Sequence, residues 1–274
     1  MSRRMLGVDA SYDRLTDRTA EALVRDGVEV FVQCLWTGVE RPPYAVQNLI
    51  NARDAGLVTA AYGSLSGAGS GEYHARMTRG TVSDAVWDAL ALCFIDDELP
   101  NVPDRDLRTA VDFVAAWGKP RAVYTSRGHW GDVRRDTAAF RDCLLWDASW
   151  LAHGAPAPDE PLLGVPYGGW TEAQTVGRQW KAGEVVDGLY CDRSYFARGL
   201  LMDAPTKAEF GALYALVAGE TGILPAVRAI GAALAQHIQE GTPAPAADLA
   251  ALKAHVDALD ARVAQAAKAL VGQP

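Results

Sequence analysis

The stretch best placed to do chemistry is Leu92-Cys93-Phe94-Ile95-Asp96-Asp97-Glu98-Leu99-Pro100, an apolar run that ends in three carboxylates and breaks at a proline. The run is too short for an ordinary helix and reads as a buried strand. Side chains alternate along a strand, so Asp96 and Glu98 share one face while Asp97 points to the other. The i, i+2 spacing sets their Cα atoms about 7 Å apart, at a rise of about 3.3 Å per residue. Two carboxylates at that range on a strand end can act as the acid and base of glycoside hydrolysis. The same pattern also suits a Mg²⁺ or Ca²⁺ site, or a plain acidic exit from strand to loop.

Other chemistries find little support. The five histidines, His74, His129, His153, His237 and His255, show neither HxH nor HExxH spacing, so no zinc centre is expected. Ser126 and Ser149 lack the G-x-S-x-G turn that exposes a nucleophilic serine. Cys34, Cys93, Cys143 and Cys191 have no CxxC neighbour and read as small thiols packed in a core. No metal and no cofactor is expected.

The elements that must position the acidic strand follow from periodicity. Met5–Ala10, Val28–Trp36, Leu57–Tyr62, the acidic stretch, Arg121–Thr125 and Cys143–Ala148 read as strands. Residues 163–166, 177–180 and 186–192 read as further strand segments. Helices fall between them. Thr16 caps one, Val46, Leu49 and Ile50 mark the apolar face of the next, and residues 72–89 hold one or two more. Pro103-Asp104 opens a strong amphipathic helix with Leu107, Val111 and Val114, and another helix is expected near 137–142. Gly128-His129-Trp130 reads as loop. Strands alternating with helices over about 200 residues predict an α/β fold with a mainly parallel sheet. Asp9, Asp96 and Asp192 fall at the ends of the first, a middle and the last strand. A closed TIM-like (β/α) barrel brings first and last strands together, so these acidic ends converge there. No GxGxxG loop argues for an open doubly wound sheet.

The 274 residues are 49% apolar and 22% charged, ordinary values for a globular chain. The net charge of -8 argues against a nucleic-acid surface, which needs clustered Lys and Arg. No run reaches the roughly 18 apolar residues of a membrane span. The start runs from Arg3-Arg4 straight into a strand, so no secretory leader is expected. From Pro205 onward the chain is Ala-rich and helical. Leu249, Leu252, Val256, Leu259, Val263, Ala266 and Leu270 alternate three- and four-residue steps, an a/d heptad seam. The expected domains are therefore a barrel over 1–203, a helical connector over 204–241 and a coiled-coil helix over 242–274. The seam at 249–270 serves either a homo-oligomer or docking on a larger assembly, or packs as a hairpin against the barrel.

These residues resemble a known family. Gly7-Val8-Asp9-Ala10-Ser11 resembles the first-strand motif of glycoside hydrolase family 25, the lysozyme-like muramidases, and Asp96-Asp97-Glu98 resembles its D-x-E strand end. Val123-Tyr124-Thr125, Leu145 to Trp150, Gln179-Trp180 and Val186-Asp187-Gly188 through Asp192 follow in the family's order. A related glycoside-hydrolase-like domain group shares the barrel. The resemblance spans roughly residues 5–200. It implies a peptidoglycan muramidase in which Glu98 is the general acid. Asp96 would stabilise an oxocarbenium-like state or orient the substrate's acetamido group, and Asp9 and Asp192 would complete an acidic floor. Tyr62, Tyr124, Trp146, Trp150 and Gln179 are the candidate substrate contacts. Two positions depart from the family: Tyr62 is followed by Gly63 instead of a polar residue, and the second strand ends Gln33-Cys34-Leu35-Trp36.

The expected function is cell-wall glycoside hydrolysis with peptidoglycan as partner. The other reading is a glycan-binding or structural subunit on a degenerate barrel, as in a phage tail or injection device. With no secretory leader expected, the chain is expected to be made in the cytoplasm, and in the particle context assembly would replace secretion.

Overall fold

The computed structural model describes residues 4–150 and 162–198. Eight strands close into a barrel in sequence order: β1 (Met5–Ala10), β2 (Val28–Trp36), β3 (Val58–Ser64), β4 (Cys93–Asp96), β5 (Ala122–Thr125), β6 (Leu144–Ala148), β7 (Thr175–Val186) and β8 (Leu189–Phe196). The described helices are α1 (Asp17–Arg25), α2 (Ala45–Asp54), α3 (Gly71–Arg79), α4 (Asp84–Ala89), α5 (Asp104–Ala116) and α6 (Arg127–Arg134). The α/β barrel architecture is the expected one. No described helix is long and apolar enough to cross a membrane. The expected connector (204–241) and heptad helix (242–274) lie outside the described residues.

The closure departs from simple βα repetition. β1 to β7 pair in parallel, whereas β8 runs antiparallel to both β7 and β1. The stretch 186–192, read from sequence as one strand, contains a hairpin turn instead. Asp187 and Gly188 both take positive φ, 46° and 85°, between paired Val186 and Leu189. Two consecutive left-handed residues of Asp-Gly type make the tight turn that matches strand twist.

Three other local readings change. Residues 162–165 form bends and Pro166 is irregular, so 163–166 is not a strand; the Glu172 carboxylate takes the Leu162 and Leu163 amides, each at 2.8 Å. The helix expected near 137–142 is a series of turns entered through left-handed Arg135 and Asp136. The helix is α6 instead, across the expected loop. Ser126 caps it through the His129 amide, and buried Trp130 anchors it on Trp170 and Phe140 at ring distances of 4.6 and 5.5 Å. Gly128 and Gly131 hid its helical character. On α2, Val46 faces solvent while Asn48 and Asn51 are buried. Their amides bond the backbone of Asp13 and Leu15, which fixes the loop after β1.

The barrel interior is filled at the end where the parallel strands begin. Met5, Val30, Val32, Ala60, Leu92, Phe94, Ala122, Val176 and Phe196 pack there. Phe196 fits because β1 and β7 present glycines to it. A Cβ on Gly7 would stand 2.4 Å from its ring, and one on Gly177 2.6 Å. A second apolar layer, including Leu35, Leu49, Ile95, Leu107, Val111, Val114 and Leu145, lies between barrel and helices. The four cysteines are free and buried. With one end plugged, the polar inward positions gather at the other.

Candidate active site

Inward positions recur every second residue. Beyond the apolar plug they become Asp9 on β1, Tyr62 and Ser64 on β3, Asp96 on β4, Tyr124 on β5, Trp146 on β6, Gln179 on β7 and Asp192 on β8. These residues, Ser64 excepted, line one cavity of about 390 Å³, joined by Glu98, Trp150, Ala10, Ser11, Tyr12, Asp13, Tyr190 and Cys191. All nine residues singled out in the sequence are among them.

Asp192 reaches the site by a different route from the one its sequence position suggested. It lies inside β8, not at the end of a parallel strand. Because β8 is antiparallel, its early residues stand at the end where the parallel strands finish, and Asp192 pairs directly with Asp9. The Gln179 amide nitrogen donates to Asp9 Oδ2 at 3.0 Å and to Asp192 Oδ2 at 3.3 Å. Its carbonyl oxygen accepts from the Tyr124 hydroxyl at 2.7 Å. One side chain thus ties β1, β5, β7 and β8 across the floor. The Gly183 amide holds the other Asp192 oxygen at 2.8 Å.

On the opposite wall, Asp96 Oδ2 accepts from Ser64 Oγ at 2.6 Å, while its Oδ1 is buried without a hydrogen-bond partner among the described residues. β4 ends at Asp96, but strand alternation persists. Asp97 turns away and is fully buried, and Glu98 returns to the cavity. Tyr62 pairs its hydroxyl with Ser11 Oγ at 2.7 Å.

The two departures from the family pattern lie outside the cavity. Gly63 faces α3, where a Cβ would stand 1.9 Å from Thr78 Oγ1. The position there demands glycine for close packing, and the polar residue beyond Tyr62 that serves the site is Ser64. Gln33 is fully buried. It donates to the carbonyls of Ser11 and Cys34 and accepts from Asn48, so it supports the loop carrying Ser11 to Asp13.

Burial raises the proton affinity of every carboxyl in the cavity whose shift is resolved, and repulsion between carboxylates adds to it at Asp9, Asp96 and Glu98. Asp9 is pushed up to about 8, first by burial and then by Asp192, against the Gln179 bond. Asp96 rises to about 7 through burial and the charges of Glu98 and Asp97, against the Ser64 bond. Glu98 stands at the accessible wall, yet the screening of its carboxyl from water, then Asp192 and Asp97, push it up too. Asp192 is raised by burial. These are the conditions that keep a carboxylic acid protonated towards neutral pH. Among the described residues no group of three or more His, Cys, Asp or Glu is arranged to hold a metal ion.

The aromatics divide into two kinds. Trp146 of β6 is almost fully buried and packs on Tyr124 at 4.5 Å, Phe94 at 5.0 Å and Phe196 at 5.6 Å. It is a core side chain whose edge floors the cavity. Trp150 is 50% exposed, as are Tyr12 (48%) and Tyr190 (58%), so three accessible rings line the cavity. Sequence reasoning missed Tyr190, which period two from Asp192 would have found on the same face of β8. Tyr12 and Asp13 sit in a loop and carry no periodic signal.

Solved structures share this fold. A family GH25 lysozyme from Aspergillus fumigatus superposes with a TM-score of 0.57 at 16% identity, over 72% of this chain and 99% of its own. The bacterial lysozyme from Streptomyces coelicolor gives 0.56 at 19%, over 73% and 96%. A family 25 glycosyl hydrolase from Bacillus anthracis gives 0.54 at 18%, over 72% and 90%. The chain therefore has the barrel fold of the family 25 lysozymes. No family model and no curated protein matches its sequence.

Proposed function

We propose that the chain is a glycoside hydrolase of muramidase type acting on peptidoglycan. The observation that carries this reading is the convergence of Asp9, Asp96, Glu98 and Asp192 in one aromatic-lined cavity, each with raised proton affinity. Glu98, at the accessible wall, is the general acid that protonates the leaving glycosidic oxygen. Asp96, with one oxygen on Ser64 and the other buried without a hydrogen-bond partner among the described residues, stabilises the positive charge that develops on the sugar or orients its acetamido group. Asp9, Asp192 and Gln179 hold the floor, and Trp150 offers a ring to a sugar face. The lysozyme fold of the neighbours supports the same reading.

The test is release of reducing ends from purified peptidoglycan, with the fragments identified by mass. New reducing termini on N-acetylmuramic acid support the reading. No release across several wall sources and pH values would leave a glycan-binding barrel without turnover.

We also propose that residues 249–270 join copies of the chain, or dock it on a larger assembly, through their heptad seam. Deleting 242–274 should then lower the number of chains per particle seen by light scattering, and an unchanged number would exclude self-association through the seam.

A further inference from the structure

The proposed acid sits on the short connection between β4 and α5, and one guanidinium holds both ends of it. Ahead of Glu98, Asp97 is fully buried, and Arg134 at the end of α6 has a side chain only 1% exposed. Arg134 Nε donates to Asp97 Oδ2 at 2.9 Å and Nη2 to Oδ1, a bidentate pair. Beyond Glu98, Arg134 Nη1 donates to the Val102 carbonyl at 2.6 Å and to Asp104 Oδ1 at 2.7 Å. The backbone of Asp97 is tied as well: its amide donates to the Tyr124 carbonyl and its carbonyl accepts from Thr125 Oγ1, both at 2.9 Å. Between these anchors, residues 98–101 are bridged without a helix or strand of their own, and Asn101 takes a φ of 70°.

Stability alone is a weak reason for such a pair. Well-packed apolar residues of similar volume often do as well as a buried ion pair, because both charges must leave water. What the pair offers is direction. The planar guanidinium fork meets a carboxylate in one orientation, and a lysine ammonium cannot reproduce it. We propose that Arg134, acting through Asp97 and Val102, is a positioning residue for Glu98, fixing where that carboxyl stands relative to Asp96 and Asp192. The proposal rests on Glu98 being the acid.

The charge of Asp97 reaches the site in a second way. In the cavity Glu98 is joined by Asp9 on β1, Asp96 on β4, Tyr124 on β5 and Asp192 on β8, while Asp97, turned to the other face, acts on it through its charge alone. Asp97 is faced by Arg134, with His129 Nε2 at 3.8 Å, both from α6, and Asp104 of α5 shares the guanidinium. Asp97 is one of the charges that raise the Glu98 proton affinity, so its neutralisation lowers it.

Two variants of the full chain test this. Arg134→Lys keeps the cation and loses the fork. It should lower kcat at least tenfold with KM within twofold of wild type, and speed amide hydrogen exchange over 98–103 about tenfold while the barrel strands exchange as before. Asp97→Asn should move the ¹³C-detected titration of the Glu98 carboxyl, and the basic limb of kcat/KM, to lower pH together. Unchanged exchange over 98–103 in Arg134→Lys, or an unmoved Glu98 titration in Asp97→Asn, would overturn the proposal. Exchange and titration need no turnover. A chain that shows both effects and hydrolyses nothing keeps the clamp and loses the role of Glu98 as acid. Should Arg134→Lys fail to fold, Asp97→Asn, which breaks the same bidentate pair, should speed exchange over 98–103 likewise, and unchanged exchange there would overturn the proposal.

Discussion

Asp9 and Asp192 face each other across the antiparallel β1–β8 pair, and a single amide, that of Gln179, donates to both carboxyls. Two carboxylates at such a site repel, and one neutral donor between them offsets only part of that. The rest is relieved by a retained proton, which burial and Asp192 together hold on Asp9 up to about pH 8.

This proton sets a pH dependence of stability. Below pH 3.8 the folded and unfolded chains both carry it, and Asp9 costs nothing in charge burial. As pH rises towards 8, the unfolded chain releases a proton that the folded chain keeps, so stability falls, and the loss is complete once the folded group ionises. Asp96 adds the same sign up to about pH 7. Asp9→Asn should therefore raise Tm at pH 8.5 by about 2–4 °C, for at least about 1 kcal/mol, and leave it unchanged at the acid limit. Thermal melts of both proteins across pH would show a widening gap. A constant gap, or a larger one in acid, would mean that Asp9 is ionised in the folded chain.

Gly63→Ala should destabilise the protein by about 1–3 kcal/mol in urea, since the new methyl group meets Thr78 Oγ1, which is itself held by the His74 carbonyl at 2.8 Å. Turnover by the folded fraction should not change, because position 63 faces α3. A stable variant with altered glycan affinity would put this residue in the cavity wall.

Trp150→Ala should weaken glycan binding by about 1 kcal/mol, roughly fivefold, with stability within about 0.5 kcal/mol of wild type. Trp146→Ala should do the reverse damage and cost about 3–5 kcal/mol of folding stability, because its ring is enclosed by Tyr124, Phe94 and Phe196. Calorimetric titration with soluble glycan fragments beside urea melts would separate the two. Equal stability losses would make Trp150 a packing residue.

Much of this arrangement was legible in the sequence, for physical reasons. Alternation along Phe94 to Glu98 placed Asp96 and Glu98 together and Asp97 apart, because period two survives the loss of strand hydrogen bonding past Asp96. The convergence of Asp9 and Asp192 followed from barrel closure, although the direction of β8 did not. That direction depends on the Asp187-Gly188 turn, a two-residue signal inside an otherwise continuous strand-like run. The α6 helix was obscured by its glycines, and with it Arg134, whose partner Asp97 lies 37 residues away. Gly63 departs from the family pattern only as the sequence neighbour of Tyr62, since strand alternation turns it to the opposite face. Its meaning depends on Thr78, a contact that only the packing of α3 on β3 reveals.

On the proposed mechanism Glu98 delivers the proton that breaks a glycosidic bond. The most direct measurement is reducing-end release from peptidoglycan by Glu98→Gln beside wild type, with glycan affinity measured on the same samples. The amide keeps the shape of the side chain and cannot donate an acid proton. Hydrolysis should fall at least about 100-fold, in line with the usual contribution of a general acid, while affinity and Tm stay near wild type. Hydrolysis that survives in Glu98→Gln would exclude Glu98 as the acid and move that role to another carboxyl of the cavity.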